Sequence, residues 1–112
     1  MKYFVVRWVH SDPEYPVLRL GEFDGAGWEQ RKIDVYRDGR VGFADTHEER
    51  DAELAGVPMP GLDAIADETD HAPREISREE FERFWEQRRA DGAYWKAALL
   101  SAATAARVNS LR

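Results

Sequence analysis

Cysteine is absent from the sequence, so disulfides and thiolate metal sites are excluded. Histidine is scarce, with only His10, His47 and His71. No apolar run approaches the roughly 20 residues that cross a bilayer as a helix. The opening stretch, MKYFVVRWVH, is too short and too alternating to be expected as a secretory leader. A cytoplasmic protein without a membrane partner is therefore expected. A complete catalytic or cofactor motif is also missing. Gly25-Ala26-Gly27 runs straight into a strand pattern, whereas a dinucleotide fingerprint needs a third glycine opening a helix. No serine has a nucleophile-elbow context. No cofactor and no metal are expected, and the sequence leaves open whether the protein is an enzyme.

What is present suits one globular domain. The chain has 112 residues, 43% hydrophobic and 34% charged. Its net charge of −6 is uneven. Residues 46–75 hold 9 acidic and 2 basic side chains, while residues 76–112 hold 5 acidic and 7 basic. Acidity concentrated in the middle argues against a nucleic-acid footprint and suits a solvated loop or a basic partner.

The stretch Gly27 to Asp45 reads as two strands closed by Asp38-Gly39, a strong hairpin signal. A two-residue loop scatters apolar residues over both faces. A three-residue loop, Arg37-Asp38-Gly39 with Gly39 left-handed, places Val35 opposite Val41 and Ile33 opposite Phe43. It gathers those four on one face, so this register is expected. The other face then carries Lys32, Asp34, Tyr36 and Arg40, and is expected to be solvated.

Two earlier strands complete an expected four-stranded antiparallel meander in an α+β fold. Phe4, Val6, Trp8 and His10 are taken as the core face of the first, with Arg7 outward. The second is Val17 to Phe23. Thr46 to Gly56 is polar and acidic, Val57 to Gly61 breaks regular structure, and Leu62 to Glu68 reads as a short helix. Thr69 to Arg74 reads as a connector containing Pro73. This acidic middle segment crosses between sheet and helix. Ser77 with Glu80 three residues later is a capping box, and Ile76 with Phe81 a hydrophobic staple. Phe81, Phe84, Trp85 and Arg88 share one stripe of that helix, which is expected to cover the sheet. Asp91-Gly92 suggests a break before an alanine-rich helix from Ala93 to Val108, with one long helix projecting from the domain as the alternative. The expected organisation is a domain over 1–90 and a helical extension over 91–112.

Candidate chemistry is thin. His10 with Asp12 and Tyr36 is the catalytic candidate, with His10 as base. The competing reading is a strand-end histidine satisfied by loop backbone. His47 with Glu48, Glu49 and Asp51 matches no established metal loop. Trp28, Lys32, Asp34, Arg40, Trp95 and Leu99 are candidates for a ligand or partner surface, because exposed tryptophan marks hot spots.

Several pieces of the chain occur together. They are Val6-Arg7-Trp8-Val9-His10, Trp28-Glu29 with Arg31-Lys32, and Asp38-Gly39-Arg40 with Gly42-Phe43-Ala44. Ile76-Ser77 with Glu80-Phe81-Glu82 and Trp85 completes the set. Over roughly residues 1–88 the chain resembles a family of small bacterial, largely actinobacterial, domains of unknown function. The resemblance implies a domain boundary but no activity. The leading expectation is a small acidic binding or accessory module without catalysis, engaging a protein partner or a second copy through the C-terminal helix. The alternative is a small-molecule binder or enzyme with a pocket at the His10 end of the sheet.

Overall fold

The computed structural model describes residues 1–61, 64–65 and 70–100. The strands are β1 (Lys2–Trp8), β2 (Leu18–Phe23), β3 (Glu29–Val35), β4 (Val41–Ala44), β5 (Glu49–Arg50) and β6 (His71–Ile76). Helix α1 is Arg78–Glu86, and α2 occupies 92–100. The fold is α+β. One antiparallel sheet has the order β5-β4-β3-β2-β1-β6.

The β3–β4 hairpin has the three-residue loop. Val35 pairs with Val41 and Ile33 with Phe43, and Gly39 has φ +89°. The Tyr36 N–H donates to the Arg40 carbonyl at 2.8 Å. Ile33, Val35 and Phe43 are almost fully buried beneath the helices. Segregation of apolar side chains thus decided the register.

The four-stranded expectation is extended at both edges. β5 adds two residues beside β4. β6, expected as a connector, pairs with β1 along its whole length. Pro73 is tolerated because β6 is an edge strand, where a missing N–H leaves no ladder bond unmade on the open side.

The parity of β1 is also corrected. Tyr3 and Val5 face the helices, while Phe4 and Val6 lie on the opposite face. Phe4 is nonetheless buried, with its ring centroid 5.7 Å from that of Phe23. The reason is a second cover. After β5, residues 51–60 form a strap across the face opposite the helices. The chain thereby passes from the β5 edge toward the β6 edge. A Cβ at Gly42 would stand 2.8 Å from the Asp51 carbonyl carbon, so glycine admits the strap there. With both faces covered, both parities of β1 are apolar.

α1 begins with the capping box: Ser77 accepts from the Glu80 N–H, and the Glu80 carboxylate accepts from the Ser77 N–H. Ile76 and Phe81 both enter the core. Arg31 fastens this helix to the sheet. Its guanidinium binds Glu22 on β2 and Glu82 on α1, and stacks over Phe81 and Trp85 at 4.8 and 5.1 Å. The helix stops near Gln87, and α2 starts at Gly92 with Asp91 accepting from the Ala93 and Tyr94 amides. The chain is therefore broken between the two helices. Leu62 to Glu68, expected as a short helix, lies mostly outside the described residues, and so does the part of the expected alanine-rich helix beyond Leu100.

Candidate functional site

Among the clefts of the described residues, two on opposite faces of the sheet hold candidate residues. The first lies between the outer face and the strap, with a volume of about 360 Å³. Its walls include Phe4, Val6, Phe23, Pro58, Met59 and Ile65. Its floor is ionic. Lys32 Nζ lies 3.1 Å from Glu29 Oε1, and each side chain is only 8% exposed. Arg19 Nε donates to Asp34 Oδ1 at 3.3 Å, with Asp34 buried and Arg19 half-exposed. His71 stands at the β6 side.

Local structure explains this floor. Lys32 and Asp34 alternate onto the outer face of β3. Glu29 would face the helices by simple alternation. A bulge intervenes: Glu22 pairs with Arg31, but Phe23 pairs with Glu29, leaving Gln30 as the extra residue. A bulge re-aims the side chains beyond it, and Glu29 joins Lys32. Glu29 also ties down the strap, because Oε1 accepts the Ala55 N–H at 2.8 Å. The Met59 N–H donates to the Gly27 carbonyl at 2.8 Å, a second tie.

Beside this cleft, Asp70 and His71 form a pair. His71 Nδ1 is 2.8 Å from Asp70 Oδ1, and Trp8 Nε1 donates to Asp70 Oδ2 at 3.1 Å. The Trp8 and His71 rings stack with centroids 5.4 Å apart. The bond to His71, and then that to Trp8, hold the Asp70 carboxyl below its ordinary range.

The second cleft, about 520 Å³, lies at the His10 end on the helix face. It is lined by the ends of β1 and β2, by Arg37 of the hairpin turn, and by α2. His10 is held there by backbone groups, as in the competing reading of a strand-end histidine. The Asp12 N–H donates to its Nδ1 at 3.1 Å, so Nδ1 is the acceptor. Nε2 then carries the proton and donates to the Pro16 carbonyl at 2.8 Å. Both ring nitrogens are thus occupied by backbone, and no lone pair is left for a substrate proton. Asp12 contributes its amide to His10, while its carboxylate accepts from the Glu14 N–H. Tyr36 carries the Arg40 guanidinium over its ring at 4.4 Å.

The surface candidates separate. Lys32 and Asp34, expected on a solvated face, lie at the floor of the strap cleft. Leu99 lines the His10-end cleft. Trp28 is exposed, and Arg40 reaches the Pro13 carbonyl at 3.4 Å. Trp95 is corrected from a surface residue to a core residue. It is 0% exposed, donates to the Gln87 carbonyl at 3.0 Å, and stacks with Phe84. The break at 87–91 turns α2 back onto the domain, which buries the indole. Sequence reasoning missed Arg19, Glu29, His71 and the strap. The signal was available in Val57-Pro58-Met59-Pro60, an apolar island inside an acidic segment.

Among the described residues no three His, Asp or Glu side chains converge as metal ligands, and no helix is long and apolar enough to cross a membrane. The chain has no match among curated proteins or solved structures. A family model does match residues 2–90, spanning the sheet, the strap and α1 but stopping short of α2. The chain belongs to the DUF6881 family, a domain of unknown function.

Proposed function

We propose that this is a cytoplasmic binding module without catalysis, and that its ligand is a small molecule held between sheet and strap. One observation carries the reading. A lysine and a glutamate, each 8% exposed, meet at the floor of a cleft with apolar walls. Buried ion pairs contribute little to stability compared with well-packed apolar residues. Apolar clefts with a few convergent polar groups are the usual form of a small-molecule site.

The floor defines the ligand. Lys32 gives one contact to Glu29 and keeps further donors, since an ammonium has three. Asp34 gives Oδ1 to Arg19 and keeps a second oxygen. Two cations and two anions balance, so the polar end of the ligand is neutral overall, with an acceptor beside a donor. Its apolar body packs on Phe4, Val6 and Met59. The residues lining the strap cleft all lie within the family match, so the reading applies to the domain itself.

The test is an amide NMR titration with zwitterionic amino acids and neutral nucleosides. At least one probe should move the Ala55 and Met59 amides saturably, and Lys32→Gln or Asp34→Asn should weaken that response about tenfold. If no probe moves those amides, the reading is wrong.

A protein partner is the second reading. Trp28 and Val57, both exposed, flank the Gly27–Met59 tie and favour it. A Trp28→Ala, Val57→Ser variant that leaves oligomeric state and partner capture unchanged would count against it.

A further inference from the structure

The His10-end cleft differs from the strap cleft in charge. Among its lining residues are Arg7, Arg37 and Lys96, and no carboxylate. This happens in a chain of net charge −6. Arg7 and Lys96 make no ion pair with any described residue. Arg37 donates to the carbonyls of His10 and Ser11, which aim its guanidinium without neutralising it. Arg7 was expected to point outward. Instead it follows Tyr3 and Val5 onto the helix face, at the end of β1 that α2 overhangs. Beside them stand apolar side chains: Val17 and Leu18 from the sheet side, Leu99 from α2. His10 is committed to backbone on both ring nitrogens, so it serves as wall rather than as a proton acceptor.

Three like charges gathered around apolar walls are unfavourable until an anion joins them. We propose that this cleft binds an amphipathic carboxylate. Its head meets Arg7, Arg37 and Lys96, and its aliphatic body lies along Val17, Leu18 and Leu99. The site requires α2, so it belongs to this chain's helical addition rather than to the matched family domain. It is independent of the strap cleft and stands whether or not that cleft binds a ligand.

The experiment uses the full chain and octanoate as probe, followed by amide NMR. Octanoate should bind saturably and shift Arg7, Leu18 and Leu99. Octanol supplies the body without the charge, and acetate the charge without the body. Each should bind about tenfold more weakly or worse, and octylammonium should not bind. The double variant Arg7→Gln, Lys96→Gln, with its melting temperature checked, should weaken octanoate about tenfold. Octanol binding as well as octanoate would overturn the proposal. So would octanoate shifts confined to other residues, full affinity in the folded double variant, or no saturable binding in the millimolar range.

Discussion

Gly39 and Gly92 meet backbone to backbone. The left-handed residue of the β3–β4 turn lies against the first residue of α2. The two sides of this contact are unequal. A Cβ on Gly39 would stand 2.9 Å from the Gly92 Cα and would need a left-handed φ of +89°. A Cβ on Gly92 would have its nearest neighbour, the Asp38 carbonyl oxygen, at 3.5 Å, an ordinary contact. Gly39→Ala should therefore destabilise by roughly 2 kcal/mol. Gly92→Ala should stay within about 1 kcal/mol of wild type, since helix propensity favours it. Urea denaturation of the two variants checks this asymmetry.

Stability should depend on pH at both ends, through the Arg31 ion pairs at the acid end and through Tyr3 at the alkaline end. Hydrogen bonds from Arg31 hold the Glu22 and Glu82 carboxyls below the ordinary glutamate value of 4.5. Depressed carboxyl values stabilise the fold above the unfolded value, and that contribution is lost as pH falls through the folded values. Burial, and then Glu22, push the Tyr3 phenol above 10.0. A raised value works in the opposite sense: the contribution is complete below 10.0 and is lost as pH rises through the folded value. Arg31→Met should cost roughly 3 kcal/mol at neutral pH, because two carboxylates lose their cation. It should also flatten the acid limb. Melting temperatures from pH 2 to 7 for both proteins measure this.

Trp95 should behave as part of the core. Trp95→Ala removes a fully buried indole and should cost about 3–5 kcal/mol. Ending the chain at Ala90 should then destabilise by a comparable amount, although the family match ends at that residue. Ser77→Ala, which deletes one cap at the start of α1, should cost only about 1 kcal/mol. Thermal denaturation of the three forms gives the order directly.

The strap should loosen when Glu29 is neutralised. Glu29→Gln weakens the bond to the Ala55 N–H and leaves Lys32 without its carboxylate. Hydrogen exchange at the Ala55 amide should speed up by roughly tenfold, while amides of Ile33 and Val35 stay protected. Equal rates in both proteins would remove Glu29 as the anchor.

The hairpin was legible because only one register sorts Ile33, Val35, Val41 and Phe43 onto a single face. The cap at Ser77 was legible because its two bonds are local. β1 was not, because Tyr3-Phe4-Val5-Val6 is apolar on both parities and a sheet covered twice gives no contrast. Lys32 and Asp34 looked solvated because charge alone does not reveal a strap overhead. Glu29 could not be placed by alternation, since one bulged residue, Gln30, reverses its face. Trp95 followed from neither propensity nor pattern: its burial depends on how the chain turns between Gln87 and Asp91.

The strap is held by its main chain. The Asp51 carbonyl rests over Gly42, and the Ala55 and Met59 amides make the two ties. On the strap the ties themselves are main-chain groups, and the side chains of Val57, Pro58 and Met59 are not among them. They are thus interchangeable parts on a fixed frame. One scaffold of this kind admits new ligand preferences by substitution at positions 57, 58 and 60, with proline barred from 55 and 59, where an amide hydrogen is required, and from 51, whose φ of +55° proline cannot adopt.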